Sequence, residues 1–545
     1  MIKIDKKRIN ALRIVLVSIF CALSVRLYFL QVYPTERVEA QYKNHQTESI
    51  SDNKYMLLDT NGKDLMEYKK KYILVIDTKP FKLNNYEETL EDLMALNFIM
   101  KGEDESFNYT DVIKNQGKLY YNISEETYNK IKKLNNIKGI YTFLSDKTDK
   151  KEAWSVNGMF SNIDDKNLVK GSLQEEIYNN IKDNEIPKKN FYLDDKAVYS
   201  FEELDVNKNN KNIKLTVDKE IENKIRKVLS KEEYLNYNNV GVTIMESNTG
   251  KIRAMVQKDE SAANINLGIE GLGYEPGSIY KLITYGAALE KACTTQYNTV
   301  TCTGKMCERG SHGTITVREG LIKSCNEVFG VIGSKVGYKD LMEYSEKMGL
   351  FKRNLNMQGE GRNETEGVKP TEDESMSLIS IGQSMNTSPI QMLGAVNTFV
   401  NNGIYVKPYI LEEVQNSNDQ TIKTYSTTKE KIFTETTSKI VKNGMREVVL
   451  NGTGQSANVK GVEIGGKTGS ATTSNKTTHG WFVGYFKVNN KEYTMIVFVP
   501  DLVSKNNESL GGGNTATPIF KDIVLELNKW YRKTPYFYGV FHFTE

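Results

Sequence analysis

An excess of charge of one sign is missing from this chain: 72 Lys and Arg face 69 Asp and Glu, a formal net charge of +3 over 545 residues. Near balance gives no case for nucleic-acid binding, which depends on a surplus of cations. Histidine is scarce, with four residues, and cysteine nearly so, with five. The cysteine spacing is not that of a standard zinc finger. Long apolar runs are few, and the one near the N-terminus, Ile14 to Val25, is shorter than a full bilayer span. No small-x-small cleavage site follows it. Between Tyr33 and Val206 there is no catalytic constellation and no glycosyltransferase-like motif. The richness in Lys, Asn, Tyr and Ile reads as an AT-rich coding bias and carries no function.

What is present begins with topology. Lys3, Lys6, Lys7 and Arg8 precede a mainly apolar stretch from Ala11 to Leu30, with Arg13 and Arg26 near its ends. Arginines that snorkel to each interface let roughly 20 residues cross a bilayer. Basic residues ahead of the span place the N-terminus in the cytoplasm. The expectation is a cytoplasmic tail (1–10), an uncleaved transmembrane anchor (11–32), and the bulk of the chain outside the cell membrane. The length calls for at least two domains beyond the anchor. Residues 33–206 alternate short strand-like runs, such as Lys71 to Asp77, with charged helical stretches such as Asn85 to Asn97. Val206 to Asn212 is polar, which gives a 207–212 linker, a 213–531 C-terminal domain and a 532–545 tail.

Three short motifs carry the chemistry, and their order matters more than any one of them. They are Ser278-Ile279-Tyr280-Lys281, Ser324-Cys325-Asn326 and Lys467-Thr468-Gly469. S-x-x-K also occurs at Ser51 and Ser426, and S-x-N at Ser155 and Ser384; K-T-G occurs once. Glu275-Pro276-Gly277 breaks the chain before an apolar helix expected over Ser278 to Glu290. Three residues apart on a helix, Ser278 and Lys281 share a face. A serine hydroxyl needs a base, and a lysine serves as one only when burial or a neighbouring charge lowers its pKa. The helix supplies the burial, and Lys467 a charge. Ser324 and Asn326, two apart, suit a proton relay and an amide contact in one cleft. Val462 to Ser470 and His479 to Phe486 read as a hairpin whose edge strand carries Lys467. Gly469 permits close backbone approach. Lys467, Thr468 and Ser470 suit a carboxylate, and the N–H groups of Ser278 and Ser470 an oxyanion.

As a set these motifs resemble the transpeptidase domain of class B penicillin-binding proteins, over about Ile213 to Leu527. Val240 to Val256 is similar to that family's first hairpin, Ile381-Gly382-Gln383-Ser384 through Gln391 to its G-Q-G helix entry, and Gly512 through Phe520 to its final turn. Leu58 to Leu65 resembles its pedestal entry. Ser384 stands where a third glycine is usual, and Cys325 fills the middle of S-x-N. The resemblance implies a multidomain α+β architecture: an N-terminal transmembrane helix, an elongated α+β pedestal, and a domain with an antiparallel sheet flanked by helices. It implies a serine D,D-transpeptidase that cross-links peptidoglycan stem peptides and is acylated by β-lactam antibiotics. Ser278 would be the nucleophile, Lys281 its base, Ser324 the relay, and Asn326 and Lys467 the substrate-facing partners. Thr468, Gly469 and Ser470 would bind the terminal carboxylate. The chemistry would need no cofactor, and a glycosyltransferase partner would supply the glycan strands. Two other readings stand beside it: a β-lactamase or β-lactam sensor, and a non-catalytic cell-wall scaffold. A class A lactamase needs a glutamate-activated water, and no E-x-x-L-N-like loop is present. A class D enzyme or sensor usually has Val where Asn326 stands.

Four of the five cysteines, Cys293, Cys302, Cys307 and Cys325, fall between the first and second motifs. Cys302, Cys307 and His312 form a C-x4-C-x4-H run that offers three ligands to a structural Zn²⁺. Cys293 or Glu308 are candidates for the fourth. A Cys302–Cys307 disulfide and free thiols are the alternatives, and all three stay open at the level of sequence.

Overall fold

The computed structural model describes residues 6–32, 45–84, 86–149, 154–161, 163, 168–307, 310–359, 362–473, 477–503 and 510–533. Glu308, the last residues of the expected tail (534–545) and the first five of the chain lie outside them. The chain divides into two compact units: residues 1–54, 68–147 and 185–207 in one, and 55–67, 148–184 and 208–545 in the other.

The first unit holds a helix, Lys6–Val32, which covers the expected anchor. Its Ile14, Val17 and Phe20 side chains are exposed. Among the described residues no helix is long and apolar enough to cross a membrane. Two small three-stranded sheets follow. One orders His45–Ser49, Lys188–Leu193 and Tyr199–Asp205; the other places Tyr68–Asp77 between Lys118–Ile123 and Ile140–Thr148. Leu74 and Ile76 of that central strand pack with Leu93 and Leu96 of the helix Tyr86–Lys101. Among its buried polar residues is Glu48, which accepts from the Tyr141 hydroxyl (2.6 Å) and from Lys118 Nζ (3.0 Å).

The second unit is organised by five antiparallel strands: β1 (Gly241–Glu246), β2 (Ile252–Gln257), β3 (Ile464–Thr472), β4 (Thr478–Val488) and β5 (Lys491–Leu502). Their order across the sheet is β2-β1-β5-β4-β3, every neighbour antiparallel. The inner strands are buried on both faces, so β1 is apolar almost throughout instead of alternating. Val242, Ile244, Met495 and Val497 face the helices Lys219–Leu229 and Ala516–Lys533. The opposite parity meets the helix Pro389–Val400. That helix starts at a capping box between Ser388 and Gln391, with Pro389 in its first turn. Its buried Asn397 joins the two layers: Nδ2 donates to Ser247 O (2.9 Å) and Oδ1 accepts from Thr494 Oγ1 (2.7 Å).

The compact units do not follow a single cut near residue 207. Lys211 and Asn212 belong to a strand, Lys211–Leu215, that pairs with Leu411–Asn416 on one side and in parallel with Leu57–Leu58 on the other. Asn184 exchanges hydrogen bonds with the Lys211 backbone in both directions. The supposed linker is therefore built into the second unit, together with 55–67 and 148–184. The last switch from the first unit to the second, at Asn207/Lys208, falls within that run; what local pattern does not show is the parallel partner some 150 residues upstream that belongs to the second unit as well.

Asn397→Leu would strand Ser247 O in the interior and leave Thr494 Oγ1 only its contact with Ser247 Oγ (3.0 Å), and one unsatisfied buried group of this kind lowers stability by about 1–3 kcal/mol. A chemical-denaturation midpoint equal to wild type would show that the layers are not joined there.

Candidate active site

Ser278 sits in a 3₁₀ turn, Gly277–Ile279, directly ahead of helix α1 (Lys281–Glu290), so the expected helix over Ser278 to Glu290 begins one element later. The turn lies against the edge strand β3, and two glycines make this possible. Gly277 has φ +54°, and a Cβ there would stand 2.4 Å from Ser470 O. A Cβ on Gly469 would stand 2.9 Å from Pro276 O and 2.9 Å from Ile279 Cγ2. Ser278 and Ser470 are thereby brought side by side, with β3 unpaired on that flank.

Behind them two lysines are fully buried, Lys281 and Lys467. Lys281 Nζ donates to Ser324 O (2.8 Å), Ser324 Oγ (3.2 Å) and Asn326 Oδ1 (2.6 Å). Lys467 Nζ donates to the same Ser324 Oγ (2.9 Å), to Thr468 O (2.9 Å) and, at 3.4 Å, to Thr468 Oγ1. One hydroxyl thus bridges two amines. Burial pulls Lys281 down from the ordinary lysine value to about 7. Burial, and then the charge of Lys281, lower Lys467 well below its usual range. The physical content is that this pair cannot carry two positive charges comfortably, which puts a neutral amine beside Ser324 near neutral pH. No hydrogen bond joins Lys281 to the Ser278 hydroxyl among the described residues, and such catalytic contacts commonly tighten only with substrate in place.

Ser324 itself has φ +55°, a left-handed backbone that a serine rarely adopts. It closes the helix Val317–Ile322, and α2 (Asn326–Val336) starts two residues later. Strain of this kind persists where surrounding contacts over-determine the conformation, here the two lysines. Asn326 holds Lys281 through Oδ1 and donates from Nδ2 to Met306 O (2.8 Å). One Nδ2 proton is left for a ligand amide.

Ser278, Ser324, Asn326, Thr468 and Ser470 line one cavity of about 570 Å³. Lys281, Lys467 and Gly469 stand behind its wall. None of the described residues lining the cavity carries a carboxylate, while Lys323 and His312 do line it. An anionic ligand is what such a cleft accommodates. Every residue expected at the site from the three motifs is gathered here. The sequence pattern missed Thr453, which also lines the cavity and whose hydroxyl is 2.6 Å from that of Thr468. Its signal was only the glycine bracket Gly452-Thr453-Gly454 after a long helix.

A second constellation borders the same cavity. Cys302, Cys307, His312 and Cys325 bring four ligand atoms within 4.8 Å of one another. Cys307 and His312 also line the cleft. The separations are 3.7 Å for Cys302 Sγ to Cys307 Sγ, 3.7 Å for Cys307 Sγ to Cys325 Sγ, and 3.4 Å for Cys302 Sγ to His312 Nδ1. All five cysteines are free, so the Cys302–Cys307 disulfide is not formed. Of the two fourth-ligand candidates, Cys293 lies elsewhere, its Sγ near Lys335 O (3.6 Å). Cys325 stands in the cluster instead, its Sγ 3.7 Å from Cys307 Sγ. It was overlooked because it occupies the variable middle of S-x-N. Glu327 fixes the intervening loop by accepting from Thr303 N (2.6 Å), Thr303 Oγ1 (3.0 Å) and Met306 N (3.1 Å). Those backbone donors hold its carboxyl down at about 2.

Comparison with known proteins agrees with this arrangement. The family profile described as "Penicillin binding protein transpeptidase domain" matches residues 240–525. The stage V sporulation protein D of Bacillus subtilis is 35% identical over 214 residues, which are 36% of this chain and 33% of that protein. The chain thus spans about a third of that curated relative's length. A peptidoglycan synthetase from Bifidobacterium adolescentis has a similar fold, with a TM-score of 0.61 at 16% identity, covering 90% of this chain and 97% of that one. Penicillin-binding protein A from M. tuberculosis, solved as a ceftriaxone acyl-enzyme, is similar at a TM-score of 0.50 and 22% identity, covering 58% of this chain and 80% of that one.

Gly277→Ala combines a left-handed φ with overlap on Ser470 O, whereas Gly461→Ala has φ +80° and open space around it. The strain common to both is about 1–2 kcal/mol. Thermal unfolding should show Gly277→Ala losing clearly more than Gly461→Ala; equal losses would mean that the turn does not depend on the close approach.

Proposed function

Because this chain belongs to the penicillin-binding protein transpeptidase family, as a class B member, we propose that it is a membrane-attached serine D,D-transpeptidase cross-linking peptidoglycan stem peptides. The observation that carries the reading is the Ser324 hydroxyl held between buried Lys281 and Lys467, in the cleft that Ser278 lines. Neutral Lys281 takes the Ser278 proton as Ser278 attacks the carbonyl between two terminal D-alanines. The oxyanion is received by the backbone N–H groups of Ser278 and Ser470. Ser324, in contact with both amines, passes a proton to the leaving D-alanine amine. An amine of a neighbouring stem then attacks the acyl-enzyme and restores Ser278. Thr468 and Ser470 receive the donor's terminal carboxylate, and Asn326 its acyl amide. β-Lactams, which imitate that dipeptide, acylate Ser278.

A lactamase of the glutamate-dependent kind fits less well, because no carboxylate among the described lining residues is placed to activate a deacylating water. A vestigial scaffold fits less well because all three motifs meet in one cavity. The helix Lys6–Val32 is the proposed membrane attachment, because its apolar side chains, Ile14, Val17 and Phe20 among them, are exposed. The catalytic unit then lies outside the cell, with a glycosyltransferase partner providing strands.

The four-residue Cys/His cluster is proposed to hold one structural Zn²⁺. Tetrahedral zinc with sulfur ligands at about 2.3 Å and nitrogen at about 2.0 Å sets ligand–ligand edges of roughly 3.5–3.8 Å. Three of the six separations, 3.7, 3.7 and 3.4 Å, are near those edges, and all six are within 4.8 Å. Such a metal takes no part in acyl transfer; its role would be to tie the 302–312 loop to Cys325, the neighbour of both Ser324 and Asn326.

The activity is tested by intact-mass measurement after benzylpenicillin. Wild type should gain one adduct and Ser278→Ala none; a retained adduct in the variant removes Ser278 from the role. Because Lys281 acts while neutral and burial brings it to about 7, the acylation rate should climb with pH and reach half its plateau near 7. A midpoint near the ordinary lysine value would show that Lys281 is not the base.

The metal is tested by elemental analysis of unreduced protein. About one zinc per chain is expected, lost in Cys302→Ser and Cys325→Ser alike. Metal-free wild-type protein removes the proposal.

A further inference from the structure

The helix Val317–Ile322 ends at Lys323, directly ahead of Ser324, so one wall of the cleft presents Lys323, Ser324 and Asn326 almost in succession. Lys323 is exposed and lines the cavity. By helical spacing its ion-pair partner would be Glu319, four residues back. That carboxylate is turned to the start of the helix instead, where Oε2 accepts from Thr316 N (2.7 Å) and Thr316 Oγ1 (2.8 Å). Among the described residues no carboxylate comes within ion-pair distance of the Lys323 ammonium.

The other basic groups of the cleft are spent. Lys281 and Lys467 stand behind the wall, and burial drives both toward the neutral amine. His312 is directed at Cys302, Nδ1 to Sγ at 3.4 Å. No described lining residue is acidic. The positive charge that the cleft keeps for a ligand is therefore that of Lys323. On the other wall, Thr468 and Ser470 receive the donor's terminal carboxylate, so Lys323 is left over for a second anion.

Covalent order says where that anion must be. In a stem ending in two D-alanines, the acyl amide joins the penultimate D-alanine to the residue before it. With that amide at Asn326, the side chain of the preceding residue leaves the peptide beside Asn326, three positions from Lys323. The flexible four-carbon stem of a lysine suits such a span.

We propose that Lys323 is a specificity residue for the acyl donor, pairing with a carboxylate on the side chain of the residue that precedes the two D-alanines. This rests on the transpeptidase reading of the cleft. The substrate class is then a stem with a free side-chain carboxylate at that position. A stem with lysine there brings ammonium to ammonium, and one with an amidated carboxylate gains nothing. A pair at the rim discriminates between ligands more than it adds affinity. Lys323 takes no part in moving the protons of the reaction.

The test compares benzylpenicillin and carbenicillin on the purified full chain. They differ by one carboxylate, on the carbon next to the acyl carbonyl, where the side chain of the preceding residue would begin. Second-order acylation constants are read by intact mass. The carbenicillin-to-benzylpenicillin ratio is taken within each variant, so any general effect of a substitution divides out. Lys323→Gln should lower the ratio about fivefold, the upper range for an exposed ion pair, and Lys323→Glu should lower it further. Lys323→Arg, which keeps the charge, should hold it. In about 1 M salt, where charges are screened beyond about 3 Å, the wild-type ratio should fall to that of Lys323→Gln. Lys339→Gln removes an exposed positive charge from the helix Tyr338–Lys347, away from the cavity lining, and should leave the ratio as in wild type. An unchanged ratio in Lys323→Gln, or an equal fall in Lys339→Gln, overturns the assignment while leaving the transpeptidase reading intact. Wild-type protein that neither β-lactam acylates overturns both.

Discussion

Two amines and one hydroxyl constrain everything else in the catalytic unit. Lys281 and Lys467 are both fully buried and both reach Ser324 Oγ. Removing even one ammonium from water is unfavourable by several kcal/mol, and placing a second beside it adds repulsion that low dielectric strengthens. No carboxylate relieves this pair; their acceptors are hydroxyls, an amide and backbone carbonyls. The chain therefore resolves the conflict by giving up charge rather than by pairing it. That is the condition a lysine base requires, so the feature that looks like a defect of burial is what the proposed Ser278 chemistry would draw on near neutral pH. A carboxylate introduced to stabilise the pair would restore both charges and remove the base.

The segment Ser324-Cys325-Asn326 shows how much can hang on three residues. Ser324 turns toward the lysines in a left-handed conformation, Cys325 turns inward to the thiol and imidazole cluster, and Asn326 spans from Lys281 to the carbonyl of Met306. Ser324 and Asn326 share Lys281 Nζ while Cys325 between them turns to the cluster, so the three positions are coupled. The 292–316 stretch between α1 and this segment is mostly polar and buries little beyond Cys302 and Ile315. It cannot order itself by hydrophobic burial. Glu327, the Asn326 contact and the Cys/His cluster order it instead, from the side facing the cleft.

How far this was legible in the amino-acid order depended on range. The hairpin of β1 and β2, the strand pair around Lys467, and the helix after Ser278 follow from local pattern, because apolar periodicity and glycine punctuation act within a few residues. The catalytic residues were legible because their chemistry needs fixed spacings along one element. The last switch between the two units falls at Asn207/Lys208, but the return of 55–67 and 148–184 to the second unit was not legible, since it is decided by pairing such as that between Leu57–Leu58 and Ile213–Lys214, which no window spans. Cys325 was passed over for the opposite reason: it sits inside a motif whose middle position is free to vary, so its membership in the cluster is visible only when the loop folds back. Thr453 had no chemical signature at all until Thr468 stood 2.6 Å away.

The two walls of the cleft are held by different physics, and this bears on where sensitivity to substitution should lie. The sheet wall is β3, paired along its whole length to β4 and sealed by Gly469 against Ile279 and Pro276. Its position is set by backbone hydrogen bonds and by contacts that leave no room for a methyl group. The other wall, the 302–326 region, has only a four-residue backbone pairing, Thr299–Cys302 with Gly313–Thr316, and the short helix Val317–Ile322, and it leans on side-chain contacts of Glu327 and Asn326. Backbone pairing is cooperative and resists single changes, whereas a wall held by separate side chains loses its geometry one contact at a time. Placing the nucleophile on the turn that touches the sheet wall, and the relay and amide-binding residues on the other, divides the site into a rigid half and an adjustable half. The adjustable half is also the one that carries the Cys/His cluster, where the proposed metal would supply a few strong ligand bonds in place of the burial that the loop lacks.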